Sequence, residues 1–195
     1  MTPDVRPLTG DALREVLPQL ADLRITVFRD WPYLYDGDAA YEQAYLAPYA
    51  RNPAACVIGA FDGARLVGAA TALPLMDHAD DFSAAFAGSD IAPERLWYCA
   101  ESVLLPAYRG QGIGHRFFDL REAQARALGF NAAAFCTVTR PRNHPLRPLH
   151  ARSLQPFWRA RGYEPLEGAV AQFAWKDIGE TAETTKPLQF WMRVL

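Results

Sequence analysis

The stretch that most constrains the fold is ESVLLPAYRGQGIGHRFFDLREAQARALGF, residues 101–130. A strand-like apolar run ends at Pro106, a glycine-rich turn follows, and a helical pattern then covers residues 113–128. The turn reads Arg109-Gly110-Gln111-Gly112-Ile113-Gly114. The first N–H groups of a helix are unpaired and carry partial positive charge, and glycine lets the backbone come close to an anion. This order therefore predicts a phosphate or pyrophosphate site.

Two common phosphate-binding loops do not fit this turn. A P-loop requires Lys and then Ser or Thr after its last glycine, whereas His115 and Arg116 follow here. A Rossmann fingerprint counted from Gly110 and Gly112 requires Gly or Ala where His115 stands, and the surrounding strand order is wrong for that fold.

The turn instead resembles that of the GNAT superfamily, the acyl-CoA-dependent N-acetyltransferases. The matching pattern is Arg109-x-x-Gly112-x-Gly114 after a strand that ends in x-x-P-x-x-R-G. A second segment, Phe157-Trp158-x-x-x-Gly162-Tyr163, resembles the helix and glycine-aromatic stop of that family. The resemblance covers nearly the whole chain, so we expect one GNAT N-acetyltransferase domain over residues 1–195.

Apolar periodicity along the chain predicts strand, helices, three strands, helix, strand, helix and two strands, a mixed α/β (α+β) layer. The predicted strands are 5–8, 54–61, 66–73, 96–105, 131–139, 170–178 and 188–195. Pro18 predicts a kink or two shorter helices in the first helical segment, and Asp62-Gly63 predicts a hairpin turn. The resemblance implies a mostly antiparallel central sheet, splayed at the strand before the glycine loop and flanked by helices.

By the same resemblance, acetyl-CoA is the co-substrate. Arg109 shapes the loop or neutralises charge, and His115 either lies close to the phosphates or faces solvent. The backbone amides that would bind the pyrophosphate are those of Gly110, Gln111, Gly112, Ile113 and Gly114. The backbone that would pair with the pantetheine arm is that of Val103, Leu104 and Leu105.

Acetyl transfer to an amine needs a base for the ammonium, a donor for the oxyanion and a proton for the thiolate. Glu101 is a carboxylate in an otherwise apolar strand, which is costly unless it is used, paired or solvated. It is either the general base, directly or through water, or an edge-facing or salt-bridged glutamate. The family resemblance implies a backbone N–H near Val103 or Leu104 as the oxyanion donor.

The sequence departs from the family at the general acid. The positions that commonly hold Tyr and Asn near the penultimate helix hold Trp158 and Ala151. Tyr163, Tyr108 and Tyr98 lie nearby in sequence, and solvent or substrate can also supply the proton, so the acid stays unassigned.

Trp31, Tyr33 and Tyr35 cluster between the first two helical segments, the region that walls the acceptor pocket in GNAT proteins. They form either an acceptor pocket or ordinary core packing, and Asp36 and Asp38 follow them and would attract a cationic amine. We therefore expect acetyl transfer from acetyl-CoA directly to a primary amine of a small molecule or peptide. The alternative is a catalytically silent acyl-CoA-binding domain that senses or scaffolds.

Charge and cysteine usage restrict the other classes. With 20 Lys and Arg against 22 Asp and Glu, the net charge of -2 gives no electrostatic case for nucleic acid. The longest uncharged stretch, residues 127–139, is too short to span a bilayer, and the N-terminus lacks a secretory pattern. Three cysteines without a CxxC pair fit a reducing cytoplasm.

Two further expectations concern metals and assembly. His144 and His150 are not accompanied by other ligands at metal-binding spacing, so we expect no metal site, and the nearby Arg142 and Arg147 contact the adenosine phosphate or an acidic acceptor, or belong to a solvated loop. A homodimer is possible through an exposed terminal strand, residues 188–195.

Overall fold

The computed structural model describes residues 2–78 and 82–195, and within them seven strands form one sheet in the order β1-β2-β3-β4-β5-β7-β6. The strands are β1 (Asp4–Leu8), β2 (Cys56–Asp62), β3 (Arg65–Pro74), β4 (Leu96–Leu104), β5 (Ala132–Val138), β6 (Glu164–Trp175) and β7 (Thr184–Val194). The helices are α1 (Gly10–Phe28), α2 (Ala39–Arg51), α3 (Ile113–Ala127) and α4 (Gln155–Ala160). Three short 3-10 turns, Leu75–Asp77, Ser83–Phe86 and Pro93–Arg95, occupy the segment before β4 that was predicted to be irregular; residues 79–81 of it lie outside the described residues.

The sheet splays between β4 and β5. Neighbouring strands are antiparallel except for this pair, which is parallel and joined only from Leu96↔Ala132 to Tyr98↔Ala134. Both strands continue beyond that point without pairing to each other, so a gap opens along the second half of β4. The predicted mixed, mostly antiparallel sheet with a splay before the glycine loop is confirmed.

A β-bulge in β4 lies beside this gap. Thr71 of β3 pairs with Glu101, whereas Leu73 pairs with Tyr98, so two residue steps on β3 match three on β4. In a regular strand Tyr98 and Glu101 would point to opposite faces, but both line the same cavity here. Arg121 of α3 stabilises the bulge, because it donates hydrogen bonds to the carbonyls of Glu101 (2.8 Å) and Thr71 (3.3 Å).

The helices cover both faces of the sheet and give two cores. The α1 stripe of Leu13, Leu20 and Leu23 belongs to one core, and α3 belongs to the other through Ile113 and Phe117. α1 runs without interruption through Pro18, which lies on the exposed side of the helix. The carbonyl that loses its helical partner there is able to bond water, and the predicted division of this helix is wrong.

The terminal strands differ most from the prediction. β7 lies between β5 and β6, so the edges of the sheet are β1 and β6, and the predicted exposed terminal strand for dimer contact is wrong. β6 begins at Glu164, earlier than predicted, because its pairing with β7 contains an irregularity between Pro165 and Val170 that hides the alternation. In the part of the chain that the structure describes, no helix is both long and apolar enough to cross a bilayer.

Candidate active site

A cavity of about 390 Å³ lies against the splayed strands, on the face of the sheet covered by α1 and α2. Its walls come from the end of α1, the α1–α2 loop, α2, the segment before β4, and strands β4 to β7. Most of the lining surface is aromatic. The rings are those of Phe28, Tyr33, Tyr35, Tyr41, Tyr45, His78, Phe82, Tyr98, Phe173 and Trp175.

A buried charged triad forms the floor of the cavity. Arg24 of α1 donates a hydrogen bond to Glu42 of α2 and forms an ion pair with Glu101 of β4, while Thr71 Oγ1 donates to Glu101 Oε2 at 3.3 Å. The guanidinium also stacks on the Tyr45 ring, 4.4 Å from its centroid. Burial alone would lower the pKa of Arg24, but Tyr45 and Glu42 raise it above its ordinary value, so the arginine stays charged. Two carboxylates therefore share one cation.

The point where β4 and β5 separate is marked by Tyr98 and Cys136. Tyr98 is the last paired residue of β4, and its hydroxyl lies 3.1 Å from Cys136 Sγ on the diverging part of β5. Burial raises the pKa of the Cys136 thiol to about 12 and that of the Tyr98 hydroxyl well above its ordinary value. Both groups therefore carry their protons at neutral pH.

A histidine belongs to the same cavity. His78 Nε2 lies 3.1 Å from the Tyr45 hydroxyl, and its ring packs on Phe82 and Tyr98, with centroids 4.9 and 5.1 Å apart. The imidazole thus has a fixed orientation within the aromatic wall.

A second ion-pair network fixes the two loops at the far wall. Arg140, just after β5, forms a bidentate pair with Asp177 (2.6 and 2.8 Å) and donates to the carbonyls of Pro32 (2.9 Å) and Tyr33 (2.7 Å). Lys186 of β7 lies 3.2 Å from the same carboxylate. Burial alone would raise the pKa of Asp177, but the hydrogen bonds from Arg140 and Lys186 lower it below its ordinary value.

The glycine loop follows β4 on the outer side of the gap. Gly110 and Gly112 have positive φ angles, +77° and +80°, which other residues rarely adopt, and a Cβ at either position would meet no atom within 4 Å. Arg109 Nε donates to the Leu104 carbonyl at 3.1 Å and so joins the loop to the end of the strand. With α3 beginning at Ile113, the loop presents open backbone at a helix N-terminus, which fits a pyrophosphate.

The family model of the GNAT acetyltransferase family matches residues 20–154. The chain belongs to this family. No curated protein matches the sequence significantly.

Solved structures of other GNAT-type enzymes share the fold. An acetyltransferase from Streptococcus agalactiae superposes with a TM-score of 0.63 at 16% identity, over 100% of this chain and 99% of that one. A phosphinothricin acetyltransferase from Sinorhizobium meliloti in complex with AcCoA gives 0.58 at 18% identity, over 100% and 89%. A Drosophila melanogaster polyamine N-acetyltransferase, which forms N-acetylagmatine, gives 0.60 at 13% identity, over 98% and 100%.

The structure brings some of the residues singled out in this GNAT sequence to the cavity and not others. Glu101 lies in the floor, and Tyr33 and Tyr35 line the walls. Trp31 is not among the lining residues; its ring packs on His144, with centroids 5.3 Å apart. His115 is exposed at the start of α3, away from the cavity. The described residues contain no group of His, Cys, Asp and Glu side chains able to hold a metal ion.

The three tyrosines considered for the general acid lie in different places. Tyr163 is fully buried in the core on the α3 side, where its hydroxyl donates to Glu122 at 3.1 Å. The Tyr108 hydroxyl donates to Asp62 at 2.7 Å in the exposed turn between β2 and β3. Tyr98 alone of the three lines the cavity.

Sequence reasoning missed Arg24, Glu42, His78 and Cys136. Arg24 carried a usable signal, because it continues the apolar stripe of α1 one turn after Leu20 and is therefore a charge at a buried position. His78 lies in a segment with no periodicity, which leaves no signal for its place in the wall.

Proposed function

We propose that this protein transfers an acetyl group from acetyl-CoA to the primary amine of a small molecule, as a single cytoplasmic domain over residues 1–195. The observation that carries the proposal is the position of Glu101, a buried carboxylate at the floor of the cavity and on the strand that leads into the glycine loop. The volume of the cavity suits a small ligand better than an extended peptide. Three free, buried cysteines support a reducing compartment.

The co-substrate side is supported by the glycine loop and the gap. The backbone amides of residues 110–114 would bind the pyrophosphate, and the unpaired edge of β4 at residues 103–105 would take the pantetheine arm. Acetyl-CoA supplies the activated acetyl group. The backbone N–H groups near Val103 and Leu104 would stabilise the oxyanion.

Glu101 accepts the proton that the ammonium must lose before attack. Its partner Arg24 is shared with Glu42, so one negative charge remains at the floor to draw the ammonium inward. The thiolate leaving group needs little help, because a thiol ordinarily titrates at about 8.5. Tyr98 is a poor proton donor to it, since burial raises the pKa of that hydroxyl, and solvent supplies the proton.

The test is acetyl-CoA titration by calorimetry, followed by amine-dependent thiol release. Glu101→Gln is expected to lower kcat by about 100-fold or more while acetyl-CoA affinity stays within about twofold. Glu42→Gln is the matched control, because it removes the other carboxylate on Arg24 without touching the cavity lining, and it is expected to retain turnover.

Two results contradict the proposal. Acetyl-CoA binding without thiol release across a broad amine panel indicates the silent binding domain, an alternative that Trp158 at the family's tyrosine position favours. Equal activity of Glu101→Gln and Glu42→Gln removes Glu101 from the role of base.

A further inference from the structure

The cavity walls form a flat apolar slot above the charged floor. Tyr33 and Trp175 face each other with centroids 6.0 Å apart, and Phe173 packs against Trp175 at 6.0 Å and Phe82 at 6.2 Å. These rings come from the α1–α2 loop, the segment before β4, and β6, and all of them line the cavity. Aromatic faces and edges of this kind favour a flat ring between them.

Aromatic walls also attract cations, but near the floor the protein already supplies one. The guanidinium of Arg24 lies 4.4 Å from the Tyr45 centroid and 5.1 Å from the Phe28 centroid. Because it is shared by Glu42 and Glu101, the floor lacks one positive charge. One ammonium beside Glu101 would complete the charge balance there.

The acids at the mouth offer little to a second cation. Asp36 lies 2.7 Å from Lys176 Nζ and 3.5 Å from Arg29 Nη1, and these contacts lower its pKa below the ordinary value. Asp38 accepts a hydrogen bond from the Tyr41 N–H at 2.9 Å and caps α2, where the helix dipole offsets its charge. Glu183 is exposed, so water and salt screen its charge.

We propose that the acceptor is a monoamine with a flat aromatic body, an arylalkylamine, with its ammonium at Glu101 and its ring in the slot formed by Tyr33, Phe173 and Trp175. This inference rests on the proposed function. In the reaction the ammonium gives its proton to Glu101, the amine nitrogen bonds to the acetyl carbon, and the carbon–sulfur bond of the thioester breaks. The departing thiolate then takes a proton from solvent, so atoms and charge balance.

The experiment compares kcat/KM for 2-phenylethylamine, hexylamine and 1,6-diaminohexane at saturating acetyl-CoA. The second amine lacks the ring, and the third replaces the apolar end with a second charge. 2-Phenylethylamine is expected to exceed both by about tenfold or more, because the slot rewards the ring and the mouth leaves the second ammonium uncompensated. A diamine that equals or exceeds it overturns the arylalkylamine assignment and leaves the acetyltransferase intact.

Two variants test the slot itself. Phe173→Leu is expected to lower the ratio of kcat/KM for 2-phenylethylamine over hexylamine by about fivefold, because it removes one aromatic wall. Glu183→Gln, a control at the mouth, is expected to leave that ratio unchanged. If Phe173→Leu does not fold, quenching of tryptophan fluorescence by 2-phenylethylamine in the wild-type protein, absent with hexylamine, tests the same contact with Trp175.

The failures are distinguishable. If none of the amines releases thiol while acetyl-CoA still binds, the proposed function fails, and the acceptor assignment fails with it. If amines are acetylated but the ratio is unaffected by Phe173→Leu and the fluorescence is unaffected by 2-phenylethylamine, only the aromatic slot is overturned.

Discussion

Arg24 near the end of α1 and Glu101 in the middle of β4 form an ion pair beneath the cavity, with both side chains almost fully buried. The pair joins a helix to the splayed strand and so fixes the carboxylate relative to the gap. Glu42 binds the same guanidinium and is itself completely buried. The charge that makes the floor suitable for an amine therefore also depends on this one arginine.

Arg24→Met is expected to lower the free energy of unfolding by about 3–5 kcal/mol, because it leaves two buried carboxylates without their cation. Urea denaturation at pH 7 measures the change. Arg24→Met combined with Glu42→Gln leaves one carboxylate instead of two and is expected to recover part of the loss. A loss below about 1 kcal/mol for the single variant would show that the triad is more hydrated than its burial indicates.

Gly112→Ala tests the glycine loop against a matched position at the other end of α3. Gly112 and Gly129 have similar positive φ angles, +80° and +84°, and a methyl group added at either position would meet no atom within 4 Å. Alanine at either position is expected to cost about 1–2 kcal/mol of stability through backbone strain. Only Gly112→Ala is expected to weaken acetyl-CoA binding, by about tenfold, equivalent to about 1.4 kcal/mol.

Calorimetric titration of the two alanine variants separates strain from binding. Unchanged acetyl-CoA affinity in Gly112→Ala, or an equal loss in Gly129→Ala, would remove this loop from the pyrophosphate site.

Local chemistry explains which parts of the fold could be predicted. The glycine turn predicted the start of α3 at Ile113, and Asp62-Gly63 predicted the hairpin between β2 and β3, because turn residues act over a few positions. The position of β7 inside the sheet could not be predicted in this way, since strand order depends on packing between distant segments.

The same distinction applies to the site. Glu101, Tyr33 and Tyr35 stood out as residue types and lie at the cavity. The bulge that turns Tyr98 and Glu101 toward the same face depends on the register with β3 and on Arg121 from α3, which no pattern within β4 reveals. Trp31 has the same composition signal as its neighbours, but it packs on His144 instead.

Asp177→Asn is expected to change the acid sensitivity of the protein. The folded-state pKa of Asp177 lies below the unfolded value of about 3.9, so its pairing with Arg140 and Lys186 stabilises the fold above that pH and is lost as pH falls through the folded pKa. The variant is expected to be less stable at pH 7 by about 3 kcal/mol and to have a flatter stability curve between about pH 5 and 3.

Urea denaturation across that pH range measures the difference. Asp119→Asn is the surface control, because Asp119 is exposed although it pairs with Arg161 at 2.7 Å, and a loss below about 1 kcal/mol is expected. Parallel stability curves for the wild type and Asp177→Asn would contradict the assignment of the acid transition to Asp177.

Cys136 is expected to resist alkylation even though it lines the cavity. Burial raises the pKa of its thiol to about 12, despite the opposing hydrogen bond with Tyr98, so at pH 8 only about one molecule in 10⁴ carries the reactive thiolate. Tyr98→Phe removes that hydrogen bond, raises the pKa further and is expected to slow the reaction. Mass spectrometry after iodoacetamide treatment measures modification of Cys136, with the urea-unfolded chain as the fully reactive reference. Faster alkylation of Cys136 in Tyr98→Phe would mean that the hydroxyl shields the sulfur rather than stabilising its anion.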